Sequence, residues 1–376
     1  MYQGRTLESF AAEIICRKDN IKDYVVHTKQ MHMEKGDLFF GDENVSHSFP
    51  VNTIAAQQIA AFTGIPSVYY HPMREQNPAL LDHNINAWFQ DMDALRMVRT
   101  LDSRARAFLS DKYLPIDNFE IASRVLPIID KVVHLNGDNV SCEVTERNMY
   151  LKVINYKMEG EVVPGDVVQS GIIVSNSEVG QGMVEVKPFV YRLVCKNGAV
   201  IDAAAKKRRH VGKTIDLTSD DYEIYRTETI NAANQAFLMQ IEDTVSSVVN
   251  PATFDKILDS MREAKDRKFT SRNIPAVVEL AAKKYGVPEG ETGNILTHLV
   301  NEGDTSLYGL ANAFTRYSQD VDDYDYATTL EEIGGKMFTM PKSVFDDLNN
   351  ATTTKEQRKR ERKELKANQS GLLAVA

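Results

Sequence analysis

The chain has 376 residues, 43% of them hydrophobic and 26% charged, which is ordinary for soluble globular proteins and excludes the collagenous, coiled-coil and wholly disordered classes. Lys and Arg number 44 against 53 Asp and Glu, a net charge of -9, so a uniformly basic coat for nucleic acid is excluded and any such contact must be local. The length suits two or three domains, or one large core with additions.

Apolar runs such as Ile172-Ile173-Val174 fall far short of the roughly 18 residues of a membrane span. The first residues carry Arg5, Glu8 and Glu13 in an amphipathic pattern rather than a basic-then-apolar leader, so a cytoplasmic location is expected. Cys16, Cys142 and Cys195 are odd in number and widely spaced, the pattern of reduced thiols rather than of a disulfide framework or a metal pair.

Residues 1–100 read as a mixed helical region in which short hairpin-like segments alternate with helices. A helix is predicted over 54–62, with Ile54, Ala55, Ile59 and Phe62 on one face. It turns at Thr63-Gly64-Ile65-Pro66 into a second segment from Ser67 that ends at His71-Pro72. That outline is similar to a helix-turn-helix, but so short a second helix suits a packing hairpin better than a groove reader.

The expected core, residues 101–218, opens with a short strand over 104–113. Asp117-Asn118 can cap a helix whose apolar positions Ile121, Val125, Ile128, Ile129 and Val132 recur at helical spacing, with Pro127 imposing a kink or break. Period-two segments over 140–154, 167–174 and 183–195, punctuated by Pro164-Gly165 and Gly180-Gln181-Gly182, predict a strand meander. The class is therefore α+β: an antiparallel β-sheet with a helix packed on one face and helical elaborations at both ends. Helical patterns fill 219–350, and 351–376 forms a basic tail of net +4, mobile or solvated.

Lys206, Lys207, Arg208, Arg209 and Lys213 occur with no carboxylate between Asp202 and Asp216. Clustered cations neutralise phosphates and release counterions, so this stretch can track a nucleic-acid backbone or be a solvated loop. Gly212-Lys213-Thr214 ends like a phosphate-binding loop, but Lys207 stands where the first glycine is required. The aspartates of 320–331 imitate a calcium loop, with Asp325 in place of its turn glycine. Asp166, Glu185 and Lys187 are the one credible catalytic set, a Mg²⁺-dependent nuclease, against the alternative of a cross-strand charge pair. The eight histidines form no zinc or Cys-His pattern, and Ser175 and Ser177 lie in no nucleophile elbow. Tyr113, Tyr191 and Arg192 lie on or beside strands, where a ring can stack a base and a guanidinium can pair a phosphate, or where both can simply pack.

The run from Val98-Arg99-Thr100 through Asp111-Lys112-Tyr113, then Pro115-Ile116-Asp117-Asn118, resembles the bacterial phage/plasmid-like family classed as domain of unknown function 932. Gly171-Ile172-Ile173-Val174-Ser175-Asn176-Ser177-Glu178 and Tyr191-Arg192-Leu193-Val194-Cys195-Lys196-Asn197-Gly198 are similar to it as well. The resemblance implies a setting of mobile DNA in a bacterial host cell, with single-strand annealing proteins as a fold-level analogue. The expectation is a protein that binds single-stranded DNA, with annealing in recombination as its use and homo-oligomers as its form. Its contacts would be Arg104, Arg106, Lys112, Tyr113, Arg192, Lys206, Lys207, Arg208, Arg209 and Lys213, with no cofactor or metal. The alternatives are the nuclease, and a non-enzymatic counter-defence protein that meets a basic host partner through the acidic stretch 304–347.

Overall fold

A computed structural model describes residues 4–41, 46–113, 115–202, 206–208, 227–248, 250–271 and 273–350. The basic tail lies outside them, as do Arg209 and Lys213.

The chain opens with α1 (Leu7–Asn20), capped by Thr6, whose side chain accepts from Ser9 N–H. The strands β1 (Lys22–His27), β2 (Met31–Glu34), β3 (Asp37–Gly41) and β4 (Ser46–Pro50) follow. Next come the helices α2 (Thr53–Thr63), α3 (Ser67–Gln76) and α4 (Pro78–Asp91), then the hairpin β5 (Leu95–Leu101) and β6 (Arg104–Ser110). Strands β2, β3 and β4 form one small antiparallel sheet, and β1, β5 and β6 another in that order. The first hundred residues thus alternate short strands with helices, and β5 and β6 pair across residue 100. The second helix also runs past the end expected at His71-Pro72. Buried Tyr70 and partly buried Met73 anchor α3 beyond Pro72, and it continues to Gln76.

Helix α5 (Asn118–Val133) carries Pro127 without breaking, because Ile121, Val125 and Ile129 stay buried along one face. The main sheet then forms from β7 (Val140–Val144), β8 (Met149–Glu161), β9 (Val167–Asn176), β10 (Val184–Arg192) and β11 (Asn197–Val200) as an antiparallel meander, with β12 (Lys206–Arg208) added to β10. A register shift between Asn155 and Glu159 bends β8. The remaining helices are α6 (Thr227–Val248), α7 (Pro251–Asp266), α8 (Ile274–Lys284), α9 (Thr292–Glu302), α10 (Leu307–Tyr317), α11 (Tyr324–Phe338) and α12 (Lys342–Asn349).

The class is α+β, as expected, and helices cover both faces of the main sheet. On one face Leu151, Val153, Ile172 and Val174 pack against Phe10 of α1, Ile121 and Val125 of α5 and Ile241 of α6. On the other, Tyr150, Ile173 and Phe189 meet Tyr324 of α11. That second face also carries Lys152 and Lys187, which flank Ile173 in one cross-strand row. Adjacent residues of α11 answer them: Lys152 Nζ donates to Glu331 at 2.5 Å and Lys187 Nζ to Glu332 at 2.6 Å.

Candidate functional site

The side chains proposed from the sequence separate into two groups. Arg104 is exposed at the start of β6. Arg106, two residues on, would share its face in a regular strand. Thr100 instead pairs with Ala105 and Arg99 with Ala107, so Arg106 is the extra residue of a β-bulge. The bulge turns it inward, 3% exposed, to pair with Glu178 at 2.8 Å. Arg106 is therefore not available to a phosphate.

Arg192 is also buried. It forms a bidentate pair with Asp166 at 2.7 and 2.9 Å and a further pair with Glu302. Burial opposes its charge, yet Asp166, Tyr308 and Glu302 hold its pKa above the ordinary arginine value. Tyr113 packs beside Met97 and Leu109, and its hydroxyl donates to the Ser177 carbonyl at 3.1 Å, so its ring is part of a small core. Lys112 is half-buried, with its backbone N–H on Ser110 Oγ. Lys206, Lys207 and Arg208 form β12 on Val186, Glu185 and Val184.

The alternative sites are likewise taken up by the fold. Asp166 is bound by Arg192 and Tyr308, while Glu185 lies seven residues before Arg192 on β10, about 23 Å of strand away. One metal ion cannot join them. Lys187 is enclosed by Glu185, Glu332 and Asp202. The acidic stretch is divided: Glu331 is fully buried on Lys152, Asp304 pairs with Lys265 and Asp325 accepts from Tyr150, whereas Asp320, Asp322, Asp323, Asp346 and Asp347 are exposed.

What remains is a cleft of about 610 Å³ bounded by Pro50, Val51, Thr53 and Ile54 and by the side chains of Arg74, Arg104, Glu146 and Arg147. Asn52 shapes it, capping α2 by accepting from Ala55 N–H at 2.8 Å and reaching Glu146 through Nδ2 at 3.1 Å. Its own backbone N–H is fixed to the Ala105 carbonyl, which ties α2 to β6. Arg74, from α3, is oriented by donating to the Val51 carbonyl at 2.6 Å. Arg147 stands exposed in the turn between β7 and β8.

Charge pairing sets these arginines apart. Among the arginines whose side chains are described, Arg5, Arg17, Arg99, Arg106, Arg124, Arg192, Arg262, Arg267 and Arg316 each have a carboxylate within salt-bridge distance. Arg74, Arg96, Arg104 and Arg147 do not. Arg96 is stacked over Phe62 and Phe108 at 4.6 and 4.9 Å, and burial lowers its pKa. The other three line the same cleft. In a chain of net charge -9, three guanidiniums without counterions at one opening form a local positive field.

Sheet order places the backbone of β12 near this opening. Arg208 faces Val184 at the start of β10, and the same end of the sheet carries Asn176 of β9, Met149 of β8 and the turn that holds Arg147. Three strand spacings, about 14 Å, separate β12 from β8. The basic segment thus enters the sheet at the end where the cleft opens. Arg74 and Arg147 had no sequence signature: one follows a proline inside a helix, the other sits beside Glu146 in a turn.

The fold and cleft together define an α+β protein with a cationic opening at the edge of its main sheet. The pattern of the family described as Domain of unknown function (DUF932) matches residues 107–369, and the chain belongs to that family. No curated protein and no solved structure matches it. The matched region includes Arg147 but begins after Arg74 and Arg104, so the cleft lies on the seam between the family's region and the N-terminal part.

Proposed function

We propose that the protein binds single-stranded DNA by its sugar-phosphate backbone, with Arg74, Arg104 and Arg147 as the phosphate contacts. The observation that carries this reading is that three of the four described arginines lacking a carboxylate partner line one cleft. Guanidinium forks suit phosphate oxygens, and uncompensated cations gain most from replacing counterions. A flexible single strand can enter an opening of about 610 Å³, whereas a stiff duplex can only lie across it. The backbone of β12, Lys206–Arg208, pairs with β10 at the neighbouring sheet end. With this reading go a cytoplasmic location in a bacterial host, self-association, and annealing as the use of the bound strand.

The test is the affinity for a fluorescent single-stranded oligonucleotide across a series of salt concentrations. Log affinity should fall linearly with log salt. The Arg104→Ala/Arg147→Ala protein should bind more weakly, with a slope shallower by about one for each phosphate it no longer neutralises. Binding that is absent, or identical in that variant, overturns the reading.

A further inference from the structure

We infer that the cleft is built for a phosphomonoester, the terminal phosphate of a strand, rather than for a phosphodiester within it. The inference rests on the strand-binding reading and narrows it. Three guanidiniums and the single carboxylate of Glu146 line the opening, a balance of +2. A phosphodiester carries one negative charge and two free oxygens. A phosphomonoester above its second pKa of about 6 carries nearly two charges and three acceptor oxygens. The charge of the cleft therefore matches the terminal group.

The arrangement of donors agrees with this. Arg74 is held by the Val51 carbonyl, so one fork is preset, while Arg104 and Arg147 approach from β6 and from the β7–β8 turn. At the base, Asn52 takes up the N–H groups of Ala55, by its side chain, and of Ala56, by its carbonyl. Thr53 and Ile54, in the first turn of α2 whose N–H groups have no partner within the helix, stand among the residues that line the cleft. Glu146, held by Asn52 Nδ2, keeps one negative charge among these donors.

The test compares oligonucleotides of one sequence bearing a 5′-phosphate, a 3′-phosphate or hydroxyls at both ends, with a mononucleotide and inorganic phosphate as competitors. At pH 7.5 one of the phosphorylated strands should bind about tenfold more tightly than the hydroxyl strand, the gain of one extra set of charge-assisted hydrogen bonds. The preference should shrink below pH 6, where the monoester takes up its second proton, and should vanish in Arg104→Ala, an exposed position whose loss leaves the core intact. Equal, salt-sensitive binding of all three strands overturns the inference and leaves the strand-binding reading standing. Binding of the mononucleotide without any oligonucleotide supports the phosphomonoester site and overturns the strand reading.

Discussion

Arg106 of β6 and Glu178, in the loop after β9, form an ion pair at 2.8 Å with side chains only 3% and 2% exposed. The second oxygen of Glu178 accepts from Asn118 N–H at the start of α5. Its carbonyl accepts from Arg99, which also holds Asp23 of β1 through two bonds and Asp117 through a third. One polar network therefore joins both strands of the β5–β6 hairpin to β1, α5 and the β9–β10 loop. It fixes β6, which carries Arg104, against the main sheet, which carries Arg147. The cleft keeps its shape because this network ties its two walls together.

Removing Glu178 should consequently cost far more than removing a surface carboxylate. Glu178→Ala leaves Arg106 buried without a counterion, a loss of about 3–5 kcal/mol. Glu178→Gln keeps an acceptor for Asn118 and should lose less. Urea unfolding midpoints measure both, and an alanine variant as stable as the parent would show that Arg106 finds solvent or another partner.

The bulge at Arg106 also marks where the sequence stops being legible. Period-two alternation and turn residues locate β7 to β10, and Gly165 does occupy the left-handed region, at φ 86°, that its turn demands. Helical spacing likewise finds α5 despite Pro127. Those are local signals. The inward turn of Arg106 depends on one extra residue in a pairing with β5 and on a glutamate 72 positions away. Arg74 and Arg147 come from a helix and a hairpin turn brought together only by tertiary packing. Lys187 does pair, but with Glu185 of its own strand at 2.5 Å and with Glu332 of α11 rather than with a carboxylate across the sheet, a partnership that only the packing of α11 completes.

The ion pair of Lys152 and Glu331 offers a second test of buried charge. Both side chains are fully buried, and Lys152 also donates to Thr328 at 2.9 Å. Burial opposes the Lys152 charge, but Glu331 and Tyr324 raise its pKa, so the ammonium keeps its charge. Lys152→Met alone strands the carboxylate and should lower stability by about 3–5 kcal/mol, whereas Lys152→Met with Glu331→Leu should recover most of that loss, because the desolvation of both charges is removed together. A double variant as unstable as the sum of the singles would contradict this account. The measurement is a double-mutant cycle of unfolding free energies.

A pH dependence follows from Asp82 of α4. Its carboxylate accepts from Gly36 N–H at 3.1 Å, in the tight turn where Lys35 and Gly36 both take positive φ. Burial raises its pKa above the ordinary value, and Asp37 and Glu34 add to the effect against the opposing backbone hydrogen bonds. In the window from the ordinary value, about 3.9, up to the raised one, the folded chain binds more protons than the unfolded chain. Stability from this group must therefore fall as pH rises through that window. Asp82→Asn keeps an oxygen for Gly36 and has no charge to bury. The unfolding midpoint of the variant should gain on that of the parent between pH 3.5 and pH 7, and a difference that stays constant or reverses over that range would mean that the turn and its neighbours leave the Asp82 carboxylate unperturbed.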